Sequence, residues 1–196
     1  MLKTVRPPGY RLMLATPHAF TRKDYHTMID AGILREDDPL ELINGQIIQQ
    51  MPIGTAHAGM VNRINQLLTS RVSGRYVVAV QNPIALNEFS EPEPDIALLQ
   101  PREDFYANSH PTPQDIALII EVADTSLGFD REDKIPLYAM CGVPEVWIVD
   151  LPTKAIHVFR RPGQTNYSEA IRLRGDDSLP IPGLTGAQLS ALELGL

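Results

Sequence analysis

The sequence has one cysteine, one tryptophan and no apolar run approaching the roughly 20 residues that a membrane-spanning helix needs. The single cysteine, Cys141, excludes an intramolecular disulfide and fits a reducing cytoplasm, where we expect the protein to work. The short apolar patch at the N-terminus is broken by prolines and charges, so we do not interpret it as a signal peptide. We therefore expect a cytoplasmic protein without a membrane partner.

Positive charge is also scarce, because 17 Lys and Arg residues stand against 24 Asp and Glu residues. The net charge of −7 divides into +4 for residues 1–35, −12 for residues 36–150 and +1 for residues 151–196. This distribution argues against a protein that coats nucleic acid through a basic surface. An enzyme that holds a divalent metal in an acidic pocket stays possible, because the ion reverses the potential that a phosphate meets there.

What the sequence does contain is ordinary globular material. Its 196 residues are 43% hydrophobic and 21% charged, which suits one domain over residues 1–196 with a substantial core. Residues 1–19 are rich in proline and lack a clear period, so we expect an arm lying on the surface.

The most informative pattern lies between residues 116 and 150. Residues 116–120 form an unbroken apolar run, typical of a strand buried on both faces, and the run ends on the carboxylate Glu121. A charged segment with Lys134 follows, and then a second apolar run over residues 146–149. This order predicts a strand, a crossover helix and a strand.

A second carboxylate, Asp95, opens another short apolar run, Ile96–Leu99. Asp95 lies 26 positions before Glu121, which is enough chain for one strand, a loop and a returning strand. The two carboxylates could therefore meet.

The rest of the chain gives clear local signals. We predict a helix over residues 22–32 capped by Thr21, a hairpin over residues 40–48 turning at Asn44-Gly45 and a helix over residues 57–72. Residues 76–80 and 84–86 should form a strand or a bent pair around Pro83. Strands over residues 155–159 and 167–173 follow, and then a proline-braced turn with a short closing helix in the tail.

From residue 57 to residue 150 these elements follow the order αβββαβ, which resembles the core of the PD-(D/E)XK nuclease superfamily. The segments EPEPDIALL and IIEVADTSLGFDREDKIPLYAMCGVPEVWIVD are similar to the bacterial Uma-two family of restriction-endonuclease-like proteins, as are the ELINGQI hairpin and the proline-rich tail. The resemblance implies an α/β (α+β) fold with a central mixed sheet, preceded by a helix and a β-hairpin, with the nuclease core in residues 57–150.

The resemblance also implies a site for Mg²⁺ or Mn²⁺. Asp95 matches the aspartate of the PD motif, Glu121 matches the D/E position, and the carbonyl of Val122 would complete the metal ligands. The chain departs from the superfamily at Ala123, where the catalytic lysine would stand. Lys134, in the following helix, is the nearest candidate, so the predicted catalytic residues are Asp95, Glu121 and Lys134.

Three further residues are secondary candidates: Glu41 as a ligand, His57 as a phosphate contact and Tyr138 as a neighbour of Lys134 on one helix face. Pro136 indicates that Lys134 lies near the first helical turn. Each residue also has a structural interpretation. Glu121 could form a structural ion pair with Lys134 or Arg131, and Asp95 could be only a turn residue after Pro94. Lys134 could be a solvated helix lysine, Glu41 an exposed or paired hairpin residue, and His57 only a helix terminus.

The function that follows from the resemblance is hydrolysis of phosphodiester bonds in DNA by a metal-dependent endonuclease. The alternatives are an inactive nuclease fold that serves as a binding or scaffolding module, and a metal-dependent hydrolase of smaller phosphate esters. We expect a homodimer, because an enzyme that cuts both strands needs two sites. The candidate contacts to the DNA backbone are basic: Arg22, Lys23, Arg160, Arg161, Arg172 and Arg174.

Overall fold

The computed structural model describes residues 17–35, 37–72 and 74–196. The predicted arm over residues 1–19 lies outside the described residues, apart from its last three. None of the helices in the described part of the chain has the length and apolar character that crossing a bilayer requires.

The chain begins with a helix and a hairpin. The helix α1 (Arg22–Asp30) has the predicted cap, since the side chains of Thr21 and Asp24 each bind the other's backbone N–H. The strands β1 (Leu40–Ile43) and β2 (Gln46–Gln49) form an antiparallel hairpin. At its turn Asn44 has φ 50° and Gly45 has φ 77°, as the Asn-Gly pair predicts.

A six-stranded mixed sheet follows, in the order β3-β4-β5-β6-β7-β8. Its strands are β3 (Val77–Val80), β4 (Ile96–Leu99), β5 (Ile116–Ala123), β6 (Glu145–Asp150), β7 (Ala155–Pro162) and β8 (Tyr167–Leu173). Only the pairing of β5 with β6 is parallel among these strands, and the chain crosses between the two through a helical segment. The predicted strand, crossover helix and strand are confirmed.

Helices cover the two faces of the sheet. The helices are α2 (Thr55–Val72), α3 (Leu127–Phe129), α4 (Ile135–Met140) and α5 (Ala191–Leu194), with a π-helical turn at Asp130–Lys134 joining α3 to α4. One core cluster joins α2 and the C-terminal tail to one face of the sheet, and a second joins α4 to the other face. All eight residues of β5 are buried, as a strand covered on both sides must be.

Three details differ from the prediction. Residues 84–86 form no strand, because Pro83 lacks an N–H and the N–H groups of Ile84 and Ala85 bind the carbonyls of Pro92 and Pro111 in loops. The strand β5 continues past Glu121 to Ala123. The tail contains an unpredicted antiparallel pair, β9 (Ser178–Pro180) and β10 (Gln188–Ser190), before the predicted closing helix α5.

Candidate active site

The carboxylates Asp95 and Glu121 lie side by side on neighbouring strands. Asp95 directly precedes β4, and the register pairs Ile96 with Ile120, so Asp95 stands opposite Glu121 on the sheet face that α4 covers. The backbone N–H of Val122 donates a 2.8 Å hydrogen bond to Asp95 Oδ2. The two acids therefore meet, as their spacing in the sequence allowed.

Glu121 lies within β5 rather than at its end, and it is only 3% exposed. The strand continues because Val122 and Ala123 are themselves buried and pair with β6. Two donors reach Glu121 Oε1: the hydroxyl of Tyr138 at 2.6 Å and the Nζ atom of Lys134 at 3.3 Å. The carboxylate is thus fixed by side chains of the crossover helix.

Lys134 reaches the site from the π-helical turn. Lys134 directly precedes α4, but the continuous helical segment begins at Leu127, seven residues earlier, so Lys134 lies inside that segment and not near its first turn as Pro136 predicted. Its backbone is helical (φ −75°, ψ −43°), and it shares with Tyr138 the face that contacts Glu121. The ammonium group also lies 3.2 Å from Glu41 Oε1, and the lysine is 5% exposed, which is incompatible with a solvated helix lysine.

Glu41 comes from β1 of the hairpin and is 4% exposed. Its Oε1 atom accepts hydrogen bonds from Lys134 and, at 2.9 Å, from the side-chain amide of Gln50. Within the described residues its Oε2 atom is buried and has no hydrogen-bond partner. Such an atom is costly to keep unpaired, so it is a natural position for a cation.

His57, in the first turn of α2, contacts Asp95. Its Nε2 atom lies 3.0 Å from Asp95 Oδ2, and this hydrogen bond raises the pKa of His57 despite the opposing effect of burial. Gln81 holds the other oxygen, Asp95 Oδ1, at 3.3 Å, and its own φ of 51° is a conformation that non-glycine residues seldom adopt. Asp95 is therefore held from β5, α2 and the end of β3.

The site carries more negative charge than its cations balance. Burial raises the pKa of Glu121 to about 8; Lys134 lowers it, while Asp130, Asp95 and Glu41 raise it further. Burial raises the pKa of Asp130 as well. For Lys134 burial lowers the pKa, but Glu121, Glu41 and Asp130 outweigh burial and hold it above its usual value.

A cavity of about 660 Å³ opens onto these side chains. The acidic side chains that line it include Glu41, Glu93, Asp95, Glu121, Asp124 and Asp130. Glu93, Asp124, Asp130 and the amides Gln50 and Gln81 are not among the site residues predicted from the sequence. Asp130 had a usable signal, because it stands four residues before Lys134, the spacing of neighbours on a helix. The two glutamines had none.

The types of donor at this cavity suit Mg²⁺ or Mn²⁺. Both ions favour hard carboxylate and carbonyl oxygens, and Asp95, Glu121 and Glu41 bring such oxygens to the cavity wall. Val122 also lines the cavity, and its side chain packs in the core on the opposite face of the sheet, so its backbone is the part that faces the cavity. The unpartnered Oε2 atom of Glu41 is an oxygen that a further cation could satisfy.

The basic candidates divide into two groups. Arg22 forms an ion pair with buried Glu91 at 2.8 Å, and Arg160 binds Glu145 through two hydrogen bonds of 2.8 and 3.0 Å. Those two guanidinium groups already have a structural partner. The exposed members are Lys23, Arg161, Arg172 and Arg174. Of these, Arg161 lies 3.3 Å from the carboxylate of Glu169, and Arg172 donates a 2.7 Å hydrogen bond to the neutral hydroxyl of Thr153.

The mixed sheet, its crossover helix and the paired carboxylates define the restriction-endonuclease-like class of fold. The chain belongs to the Uma2 family, as its resemblance predicted: the family's sequence model, described as "Putative restriction endonuclease", matches residues 22–192. A crystal structure of "a putative nuclease belonging to DUF820" from Anabaena variabilis is similar, with a TM-score of 0.65 and 21% sequence identity, over 85% of this chain and 96% of that one. At 21% sequence identity this similarity supports the fold alone. No curated protein matches the chain.

Proposed function

We propose that the protein is a divalent-metal-dependent endonuclease that hydrolyses phosphodiester bonds in DNA. The observation that carries this proposal is the buried contact of Lys134 Nζ with both Glu121 and Glu41, next to Asp95. On this proposal Lys134 takes the role of the lysine that position 123 lacks. Family membership supports the nuclease class, and the donor set supports dependence on a metal.

Asp95, Glu121 and the carbonyl of Val122 would hold Mg²⁺ or Mn²⁺, with Glu41 as a further ligand. When bound, the ion supplies an activated water near neutral pH and stabilises charge on the phosphate. The chain's own groups set the geometry of the site. Tyr138 fixes one oxygen of Glu121, and the Val122 N–H fixes one oxygen of Asp95.

Lys134 is the residue assigned to the charge that develops on the phosphate. Its ammonium group is held at the cavity by two carboxylates, so it meets substrate already oriented and needs little reorganisation. His57, at the N-terminus of α2, would contact a neighbouring phosphate oxygen while its Nε2 atom stays with Asp95.

The test begins with metal binding, because an inactive cleavage assay could mean only an unsuitable DNA. We expect calorimetry to show defined Mn²⁺ binding by the wild type, and Asp95→Asn and Glu121→Gln to lose it while remaining folded. The matched control is Glu132→Gln, which changes an exposed glutamate in the π-helical turn that carries Lys134 and should bind Mn²⁺ as the wild type does.

Cleavage is the second part of the test. Supercoiled plasmid, linear duplex and single-stranded DNA are incubated with Mg²⁺ or Mn²⁺, and Lys134→Met should lower the rate by roughly 10²–10³-fold, as loss of a charge-stabilising group does. A folded wild type that binds no divalent metal, with or without oligonucleotide, would contradict the proposal. The inactive scaffolding protein would then replace it, with Glu41, Glu121 and Lys134 as a structural cluster.

A two-fold homodimer is part of the proposal, since a double-strand cut needs two sites. Sedimentation equilibrium should give twice the 21.7 kDa of one chain, at least when DNA is bound. A monomer under all conditions would indicate nicking of single strands.

A further inference from the structure

Two imidazole rings and a buried carboxylate meet away from the acidic cavity. Candidate ligand atoms of His26, Glu91 and His110 all lie within 4.8 Å of one another. The two rings are stacked, with centroids 6.3 Å apart and an angle of 18° between their planes. His26 Nε2 is 2.8 Å from Glu91 Oε1. None of the three residues lines the acidic cavity.

The backbones that carry these side chains are fixed independently of one another. His26 lies in α1, which is capped at Thr21. Glu91 is bridged to β1, since its N–H donates to the carbonyl of Leu42 at 2.7 Å. The residue after His110 is anchored too, because the N–H of Ala85 donates to the Pro111 carbonyl at 2.8 Å. Three separate segments thus bring their side chains to one point.

The chemistry of this group differs from that of the acidic cavity. Two imidazole nitrogens and one carboxylate oxygen suit Zn²⁺, Co²⁺ or Ni²⁺, whereas Mg²⁺ prefers an all-oxygen set. The His26 side chain is 44% exposed, so an ion can enter from solvent, while Glu91 at 3% exposure provides a buried charge. Arg22 Nε binds Glu91 Oε2 at 2.8 Å, whereas Glu91 Oε1 faces His26 Nε2 at 2.8 Å, so this oxygen and this nitrogen are the atoms that an ion would share.

We propose that His26, Glu91 and His110 form a binding site for a transition-metal ion of the Zn²⁺ and Co²⁺ type. The ion would join His26 of α1 to Glu91, which is bridged to β1, and to His110 in the loop before β5. Because Glu91 is bridged to Leu42, the ion also braces the strand that carries Glu41. This is a structural site, separate from the catalytic metal of the proposed function.

The competing explanation is an ordinary ion pair, in which Arg22 and His26 neutralise Glu91 and no metal is involved. That explanation accounts for His26 but leaves His110 unexplained. Among the described residues, the His110 ring makes no hydrogen bond, yet it lies beside the ring of His26 and within reach of the same carboxylate. A shared ligand accounts for all three side chains.

The experiment is a Co²⁺ titration of tag-free protein, followed by its visible absorption. The starting protein carries Asp95→Asn and Glu121→Gln, so that the acidic cavity does not contribute. We expect one Co²⁺ ion bound with nitrogen ligands, displaced by Zn²⁺. His26→Ala or His110→Ala should weaken binding by about tenfold or more, since even the loss of a partner that only supports a ligand can cost that much.

His18→Ala is the matched control, because it removes a histidine that is not part of the cluster, and it should leave the titration unchanged. Zn²⁺ should also raise the melting temperature of the starting protein, and not that of the double variant His26→Ala/His110→Ala. If the starting protein shows no nitrogen-ligated Co²⁺, or if both histidine variants bind as it does, the group is an ion pair and the proposal is wrong. Mn²⁺ binding by the wild type reports on the cavity separately, so failure of one proposal does not imply failure of the other.

Discussion

The position of Lys134 depends on a residue that stands two places after it. Pro136 has no N–H for the carbonyl four residues earlier, at Glu132, and its ring would collide with that carbonyl in a regular helix. The helix stays continuous and widens into the π-helical turn Asp130–Lys134, a feature often found at functional sites. From the sequence alone, Pro136 favours a helix boundary at this point, because proline disrupts the interior of a regular helix. Because the helix continues, Tyr138 and Lys134 share the face that contacts Glu121.

At the same scale, the hydrogen bond from Tyr138 to Glu121 can be tested against a matched tyrosine. Tyr138→Phe should lower the free energy of unfolding by about 1–2 kcal/mol, because it removes a buried hydrogen bond. It should also weaken Mn²⁺ binding by about tenfold, because Glu121 loses the group that orients it. Urea unfolding and calorimetry measure the two effects.

Tyr167→Phe is the control for this prediction. The buried hydroxyl of Tyr167 donates to the carbonyl of Val143 at 2.8 Å, away from the cavity lining. The variant Tyr167→Phe should lower the free energy of unfolding by about 1 kcal/mol and leave the affinity for Mn²⁺ unchanged. Equal loss of affinity in both variants would mean that Tyr138 acts only through overall stability.

At the scale of elements, the hairpin was predictable and its contacts were not. Asn44-Gly45 between two apolar runs specifies a tight turn with positive φ at both residues. Because successive side chains of a strand point to opposite faces, Glu41 in β1 points away from the face of its neighbours Leu40 and Leu42. Nothing local, however, indicates that the hairpin brings Glu41 to Lys134, because that contact joins residues 93 positions apart.

The hairpin turn gives a prediction with an internal control. Gly45→Ala should destabilise the protein more than Gly32→Ala, although both glycines have positive φ. A Cβ at Gly45 would lie 2.6 Å from the Cβ of Ala19, whereas a Cβ at Gly32 meets nothing within 4 Å in the described residues. We expect about 1–2 kcal/mol of backbone strain in each variant and about 1–3 kcal/mol more for the collision at Gly45. Equal values from urea unfolding would show that residue 19 does not pack on the turn.

The turn between β6 and β7 makes a prediction about pH. Burial alone raises the pKa of Asp150, but hydrogen bonds from Thr153 and His157 outweigh it and hold the pKa below its usual 3.8. A lowered pKa adds stability above the unfolded pKa of about 3.9, and that stability is lost as the pH falls through the folded value.

Asp150→Asn should therefore cost about 1–2 kcal/mol near neutral pH, and the difference from the wild type should shrink below about pH 4. Urea unfolding at a series of pH values measures it. If the difference in unfolding free energy between the variant and the wild type stays constant down to low pH, the packing of residue 150, and not its charge, stabilises this turn.

At the scale of the whole molecule, the order of elements was predictable because each strand and helix carries its own period. The buried run in β5, the stripe on α2 and the Pro and Gly stops fix that order. The excess of acid in residues 36–150 is likewise explained, since many of these side chains line one cavity. Which basic side chains remain free for DNA could not be predicted, because ion pairs such as that of Arg160 with Glu145 depend on strand pairing.

An acidic protein that binds DNA needs basic side chains near its active site, and Arg172 is a candidate. Sheet pairing runs from Glu121 through Ile148 and His157 to Arg172, so Arg172 lies on the same sheet face, three strands away from the site or roughly 14 Å. With Asp95→Asn to prevent cleavage, adding Arg172→Ala should reduce the salt dependence of DNA binding by about 0.9 in log–log slope, the value for one phosphate contact. Arg160→Ala should leave the slope unchanged and lower stability instead, since its guanidinium is occupied by Glu145. If the two variants change the slope equally, the DNA backbone does not run along the paired residues from Glu121 to Arg172. The phosphate contacts must then come from elsewhere on the surface.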